Sequence, residues 1–205
     1  MKYDLRWLIG DFEKKKRVKY IFFWGHQKSK NGDLTSSCFS QWWAAPFFVD
    51  NVKYSTAEHW MMAQKALLFE DADTYNKIIS AKSPAEAKAL GRQVSGFNEI
   101  IWKEKCFEIV VRGNLYKFTQ HEDLKEFLLK TKDRVLVEAS PLDKIWGIGL
   151  AADNEKIENP KLWKGLNLLG FALMEVRDTI KNRRAGPGNE GTAPTSASKA
   201  VSQDN

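Results

Sequence analysis

The chain has little sulfur and little histidine. Its 205 residues include two cysteines, Cys38 and Cys106, and three histidines, His26, His59 and His121. Two cysteines make no disulfide framework, and no Cys/His cluster has the spacing of zinc ligands. Neither a stapled scaffold nor a metal centre is therefore expected. No Ser/His/Asp or Cys/His arrangement is suggested by spacing. Gly147-Ile148-Gly149 lacks the third glycine of a dinucleotide fingerprint, so no nucleotide cofactor is expected. Long apolar runs are missing too. None reaches transmembrane length, and the opening MKYDLRWLIGDFEKKK lacks the apolar core of a signal peptide. A soluble, cytoplasmic protein without a membrane partner is the expectation. No internal repeat is evident.

Aromatic residues are abundant: 12% of the chain, with eight Trp. Tryptophan supplies core volume and flat faces for stacking on rings or bases. The formal net charge of +6 favours a polyanionic or phosphorylated partner. Much of the excess lies in two terminal runs, Lys14 to Lys19 and Lys181 to Arg184, and such runs read first as solvated faces or tails. The length suits one domain with a full core.

The pattern along the chain predicts an α+β fold, mostly helical, as a single compact domain with a few short strands. Residues 1–17 read as an N-terminal arm, either extended or a short helix. The domain spans 18–181, and 182–205, rich in Gly, Pro, Ser, Thr and Ala, reads as a disordered tail. VKYIFFW (18–24) is β-branched and aromatic, a buried strand ending at Gly25. Phe47–Val49 and Val52–Tyr54 form a hairpin turning at Asp50-Asn51. Helices are expected from Thr56 to Phe69, over 73–80, from Ser83-Pro84 to about Leu90, over 99–118 and over 121–131. Residues 134–139 read as a strand. The loop SPLDKIWGIGLA follows, and one long helix is expected over 160–180.

The stretch YSTAEHWMMAQKALLF (54–69) carries an anomaly. At helical spacing Glu58, Met61, Met62 and Lys65 share one face, so an acid and an amine stand on a greasy stripe, about 10 Å apart along the axis. A buried charge costs several kcal/mol, on the order set by its desolvation, unless it is paired or used. Structural readings exist for both. Ser55-Thr56-Ala57-Glu58 fits a capping box with Ser55 as N-cap, and a lysine stem can pack while its ammonium reaches water. Asp143 lies in a loop after a buried strand, where function commonly sits, although an Asx turn with Trp146 as a core plug is an equal reading. Trp102 reads as core or as a stacking platform. Arg92 and Arg112 could hold phosphate or pair with buried acids such as Glu138.

FFWG (22–25), FSQWW (39–43), YSTAEHWMMAQKALLF, Gly91-Arg92, Trp102, YKF (116–118), LVEASPLDKIWGIG (136–149) and NLLGFALMEVR (167–177) together resemble the NADAR domain, the YbiA-like N-glycosidases. The resemblance spans residues 20–180 in the family's order. It implies hydrolysis of N-glycosidic bonds. One branch of the family looks directed at phosphorylated ribosylamino-pyrimidine intermediates of riboflavin synthesis. Another removes ADP-ribose from guanine in DNA and so reverses a toxin's modification, which implies an ADP-ribosyltransferase toxin as a partner. The family's acid falls on Glu58, its lysine on Lys65, its loop aspartate on Asp143 and its tryptophan on Trp102. Arg92, Ser40, Trp146 and Gly147 complete the expected substrate contacts. Relatives carry Ser-Asn-Phe where Ser40-Gln41-Trp42 stands, and polar residues where Pro141 and Leu142 precede the aspartate.

The implied chemistry places C1′ of a ribose between Glu58, Lys65 and Asp143. Either a carboxylate stabilises an oxocarbenium-like transition state, or Lys65 attacks an open-chain ribose aldehyde to form a Schiff base. Three functions follow in order: removal of ADP-ribose from guanine, cleavage of a riboflavin precursor, and non-enzymatic binding of ADP-ribose or NAD.

Overall fold

The computed structural model describes residues 1–185. The predicted disordered tail therefore lies outside the described residues from residue 186 onward. Among the described residues are seven helices and four short strands: α1 (Leu5–Glu13), β1 (Tyr20–Phe23), β2 (Phe47–Val49), β3 (Val52–Tyr54), α2 (Ala57–Leu68), α3 (Ala72–Ile79), α4 (Pro84–Gly91), α5 (Glu99–Gln120), α6 (Glu122–Leu129), β4 (Val135–Glu138) and α7 (Leu168–Ala185). The mostly helical α+β expectation holds.

Two pairs of strands form separately. β1 lies parallel to β4, Phe23 opposite Glu138, so the chain leaves both strands at the same end. β2 and β3 pair antiparallel across Asp50-Asn51. Both turn residues have positive φ (48° and 63°), the backbone that a two-residue hairpin turn demands and that Asp and Asn tolerate.

α2 is the central helix. It packs on α3, α4 and α5, and Ala57, Trp60, Met61, Met62, Ala63 and Ala66 are all buried. His59 fixes it at one side: Nε2 lies 3.1 Å from the Ala81 carbonyl and Nδ1 2.8 Å from the Thr56 hydroxyl. Burial lowers its pKa, in keeping with a neutral ring bonded at both nitrogens. α5 comes close because Gly113 faces Trp60; a Cβ there would stand 2.2 Å from the indole. α7 packs across α5 and β4.

The expected helix over 160–180 is broken. A short 3-10 turn covers Pro160–Leu162, and α7 begins only at Leu168. The residues between serve tertiary bonds instead. Lys164 N–H donates to Ile148 O (2.9 Å), Leu166 to Lys144 O (3.0 Å) and Asn167 to Gly147 O (3.1 Å). Asn167 takes a positive φ of 56° to turn the chain into the helix. α7 then continues to Ala185, so the first residues assigned to the tail are helical. At the other end residues 5–13 are helical rather than extended, with Leu8 fully buried.

Candidate active site

The capping-box reading of Glu58 is not realised. The N-cap of α2 is Thr56, whose hydroxyl accepts from His59 N–H (3.4 Å). Ser55 and Thr56 are equally good caps on paper, and the chain uses the second. Glu58 therefore stands one position too early to reach back. Its own N–H donates to Gln41 O (3.0 Å). Its carboxyl is buried, with Oε1 lacking any partner among the described residues. The capping role is thus removed.

Glu58 lies in a cleft of about 360 Å³. α2 contributes Glu58, Met61, Met62 and Lys65. α4 and its cap add Lys88, Gly91 and Arg92; α5 adds Trp102; the end of β4 adds Glu138; and the following loop adds Asp143, Ile145 and Trp146. Ser40, Gln41 and Trp42 close the remaining wall. Seven of the expected site residues converge here: Glu58, Lys65, Asp143, Trp102, Arg92, Ser40 and Trp146. Gly147 does not line the cleft. It is buried behind it, where a Cβ would meet Glu138 O at 2.9 Å and Asp143 O at 3.1 Å, so its part is to let the loop fold tightly.

Each wall is held from behind. Lys117 of α5, fully buried, donates from Nζ to Cys38 O (2.7 Å) and Ser40 O (2.9 Å). Asn114 Nδ2 donates to Gln41 Oε1 (2.7 Å). Gln41 and Trp42 thus divide the work: Gln41 is bonded into the core and Trp42 faces the cleft. The Asx turn at Asp143 is real, since Oδ1 accepts from Ile145 N–H and Trp146 N–H, both at 2.8 Å. With Oδ1 committed, a ligand contact goes through Oδ2. The core-plug reading of Trp146 gives way to a half-buried cleft wall.

Burial and neighbouring charges shift the titratable groups of the cleft. Burial pushes the Glu58 carboxyl up to about 7, and Asp143 adds to this, while Lys88, the Trp42 side chain and Arg92 oppose it. Glu138 rises further, to about 8, by burial first and then by the charges of Asp143 and Glu58. Lys65 is lowered by desolvation. Its ammonium donates to Gly91 O (2.8 Å) and sits 4.0 Å above the Phe97 ring and 5.7 Å from Trp102. The half-buried ammonium is thus held by ring faces and one carbonyl, with no acid bonded to it among the described residues. Arg92 is exposed at the rim. The sequence offered Glu138 only as a partner for an arginine; among the described residues no such ion pair forms. Lys88 and Trp42 line the cleft besides the expected residues. A glutamate closing a strand just ahead of the Asp143 loop was the available signal.

Among the described residues no group of three or more His, Cys, Asp or Glu is placed to hold a metal ion, and no helix is long and apolar enough to cross a membrane. A second groove, about 620 Å³, runs between Tyr3, Trp7 and α7. Its charges are largely spent on the fold: Arg177 donates to Thr131 Oγ1 and Arg134 O, both at 2.8 Å, and Asp178 takes Lys2 and Tyr3.

A Trp-walled cleft with buried acids and a desolvated amine, set at the end of a parallel strand pair, defines a class that comparison with known proteins identifies. Residues 22–181 match the NADAR domain, and the chain belongs to that family. It is 43% identical over 165 residues to N-glycosidase R617 of Acanthamoeba polyphaga mimivirus, covering 78% of this chain and 95% of the relative. It is 34% identical over 155 residues to the chloroplastic riboflavin biosynthesis protein PYRR of Zea mays, covering 72% of this chain but 22% of that protein. The NMR structure of the E. coli protein YbiA superposes with a TM-score of 0.64 at 26% identity, over 86% of this chain and 93% of that one.

Proposed function

We propose that the protein is an N-glycosidase that cleaves the bond between ribose C1′ and a base nitrogen, and that its substrate is ADP-ribosylated guanine. The observation that carries the reading is Glu58: a buried carboxyl with an unpartnered oxygen, on the floor of the cleft and on the same helix face as Lys65. Ionised, it stabilises the positive charge that develops at C1′ and accepts the proton of the attacking water. Trp102, Trp42 and Trp146 offer faces for the base. Lys88 and Arg92 offer cations for the phosphates of ADP-ribose. Lys65, desolvated and without a carboxylate partner, also suits attack on an open-chain ribose. The names of relatives such as R617 support the glycosidase class; the guanine adduct follows from the family resemblance and the positive net charge.

A second reading, cleavage of a phosphorylated ribosylamino-pyrimidine, is favoured by the likeness to PYRR. Mass-spectrometric product analysis separates them. A DNA oligonucleotide bearing ADP-ribosylated guanine and the ribosylamino-pyrimidine phosphate are offered to wild type, Glu58→Gln and Lys65→Ala. ADP-ribose released from DNA alone, and lost by about 10²-fold or more in both variants, is the expected result. Cleavage of the pyrimidine alone moves the substrate to riboflavin intermediates. Cleavage of neither by folded protein overturns the glycosidase reading in favour of a module that binds ADP-ribose or NAD.

A further inference from the structure

Five buried side-chain polar atoms lack a hydrogen-bond partner among the described residues, and two of them are carboxyl oxygens of this cleft, Glu58 Oε1 and Glu138 Oε2. Buried acids are normally satisfied. Both belong to residues that line one cleft, where what binds can supply the missing partners.

The two acids reach the cleft from different elements and in different company. Glu58 comes from the first turn of α2, in the field of Lys88 and Arg92 as well as Asp143. Glu138 ends β4, and its backbone is clamped: its N–H donates to Asn167 Oδ1 (3.0 Å), its carbonyl accepts from Ile148 N–H (3.0 Å), and Gly147 packs against the same carbonyl. The side chain is thus aimed by three contacts, none of which uses its carboxyl. Lys88 is the cation that acts on it; Asp143 and Glu58 are the acids.

Resting on the glycosidase reading above, we infer that Glu138 is a further catalytic residue, the acid that gives its proton to the departing base nitrogen, while Glu58 is the carboxylate that faces C1′. The C1′–N bond breaks, its electron pair goes to nitrogen, and nitrogen takes the Glu138 proton. Water then forms the new C1′–O bond and releases its proton to Glu58. One proton passed from Glu58 back to Glu138 through solvent restores the resting state. Two acids whose surroundings separate their proton affinities are the usual arrangement for such a division. Burial raises both acids, but Glu138 faces two acids, Asp143 and Glu58, against one cation, Lys88, whereas Glu58 faces Asp143 against two cations, Lys88 and Arg92.

The test is the pH dependence of kcat for wild type, Glu138→Gln and Glu138→Asp on whichever substrate wild type cleaves, with thermal unfolding to show that each variant is folded. In wild type the loss of a proton from Glu138 gives kcat an alkaline limb. Glu138→Gln is expected to lower kcat by about 10²- to 10⁴-fold, to change KM by less than about threefold, and to abolish that limb. Glu138→Asp is expected to recover part of kcat and keep the limb. Both variants at wild-type kcat, or a Glu138→Gln protein that is slow but keeps the alkaline limb, overturns the assignment while leaving the glycosidase reading intact. If Glu138→Gln does not fold, Glu138→Asp decides: an unchanged kcat and limb position refutes the proposal. A wild-type protein that cleaves neither substrate refutes both.

Discussion

At the residue scale, Glu58 makes stability depend on pH. Its pKa rises from 4.5 in the unfolded chain to about 7 in the folded one. Its contribution to stability is therefore whole below about pH 4.5 and is lost as pH climbs through 7, because the unfolded chain then releases the proton more readily. Glu138 acts in the same direction, up to about pH 8. Glu58→Gln keeps the shape and removes the ionisation. It should match wild type in stability at about pH 4 and exceed it by about 1–3 kcal/mol at pH 8, since each tenfold change in proton affinity on folding is worth about 1.4 kcal/mol. Urea unfolding at the two pH values measures the difference. A variant gain of equal size at both would show that the carboxyl is not desolvated as described. The periodicity of 54–69 was enough to mark Glu58 and Lys65 as anomalous, since any helix puts residues seven apart on one face. The choice between Ser55 and Thr56 as the cap was not legible, because it turns on a bond from Glu58 N–H to Gln41, a contact between distant segments.

At the scale of elements, the cleft depends on a residue that touches no ligand. Lys117 lies within YKF, part of the family resemblance, yet nothing local says that its ammonium is buried beneath Ser40 with two carbonyls for partners. Desolvation lowers its pKa to about 8. Lys117→Met removes the buried ammonium but leaves the Cys38 and Ser40 carbonyls unpaired, at about 1–3 kcal/mol each. The wall carrying Ser40, Gln41 and Trp42 loosens, and misplacement of an ångström there costs on the order of 10²-fold in catalysis. The expected outcome is a folded protein, with kcat/KM reduced by about 10-fold or more well below its melting temperature. Unchanged kcat/KM would mean that the wall is held by Asn114 and Gln41 alone. Local signals sufficed for the hairpin, where Asp-Asn fixes the turn, and for α4, where Ser83 caps and Pro84 opens the helix. They failed over residues 160–167. There the helical-looking NPKLWKGLN gives its backbone to the Asp143 loop, and no periodicity reports a bond to a segment twenty residues upstream.

At the scale of the molecule, the N-terminal helix α1 adds to the fold without lining the cleft. The matched family domain begins at residue 22, but α1 lies on the fold rather than beside it. Leu8 is fully buried, Trp7 meets Phe171 edge-on at 6.4 Å, and the Tyr3 hydroxyl donates to Asp178 (2.7 Å). α1 packs on the 3-10 turn at Pro160–Leu162, where Lys161 also reaches Glu13 (2.9 Å). None of these residues lines the cleft. A chain beginning at residue 18 should lose the burial of Leu8 and part of that of Trp7, roughly 2–5 kcal/mol at about 1.5–3 kcal/mol per large apolar side chain. Its melting temperature should fall accordingly, while kcat per folded molecule stays within about twofold, because α2, which carries Glu58 and Lys65, is anchored to α5, and β4, which carries Glu138, to α7. Thermal unfolding and steady-state kinetics on the same preparation decide it. A shortened chain that melts like the full one but turns over slowly would place α1 in the catalytic machinery.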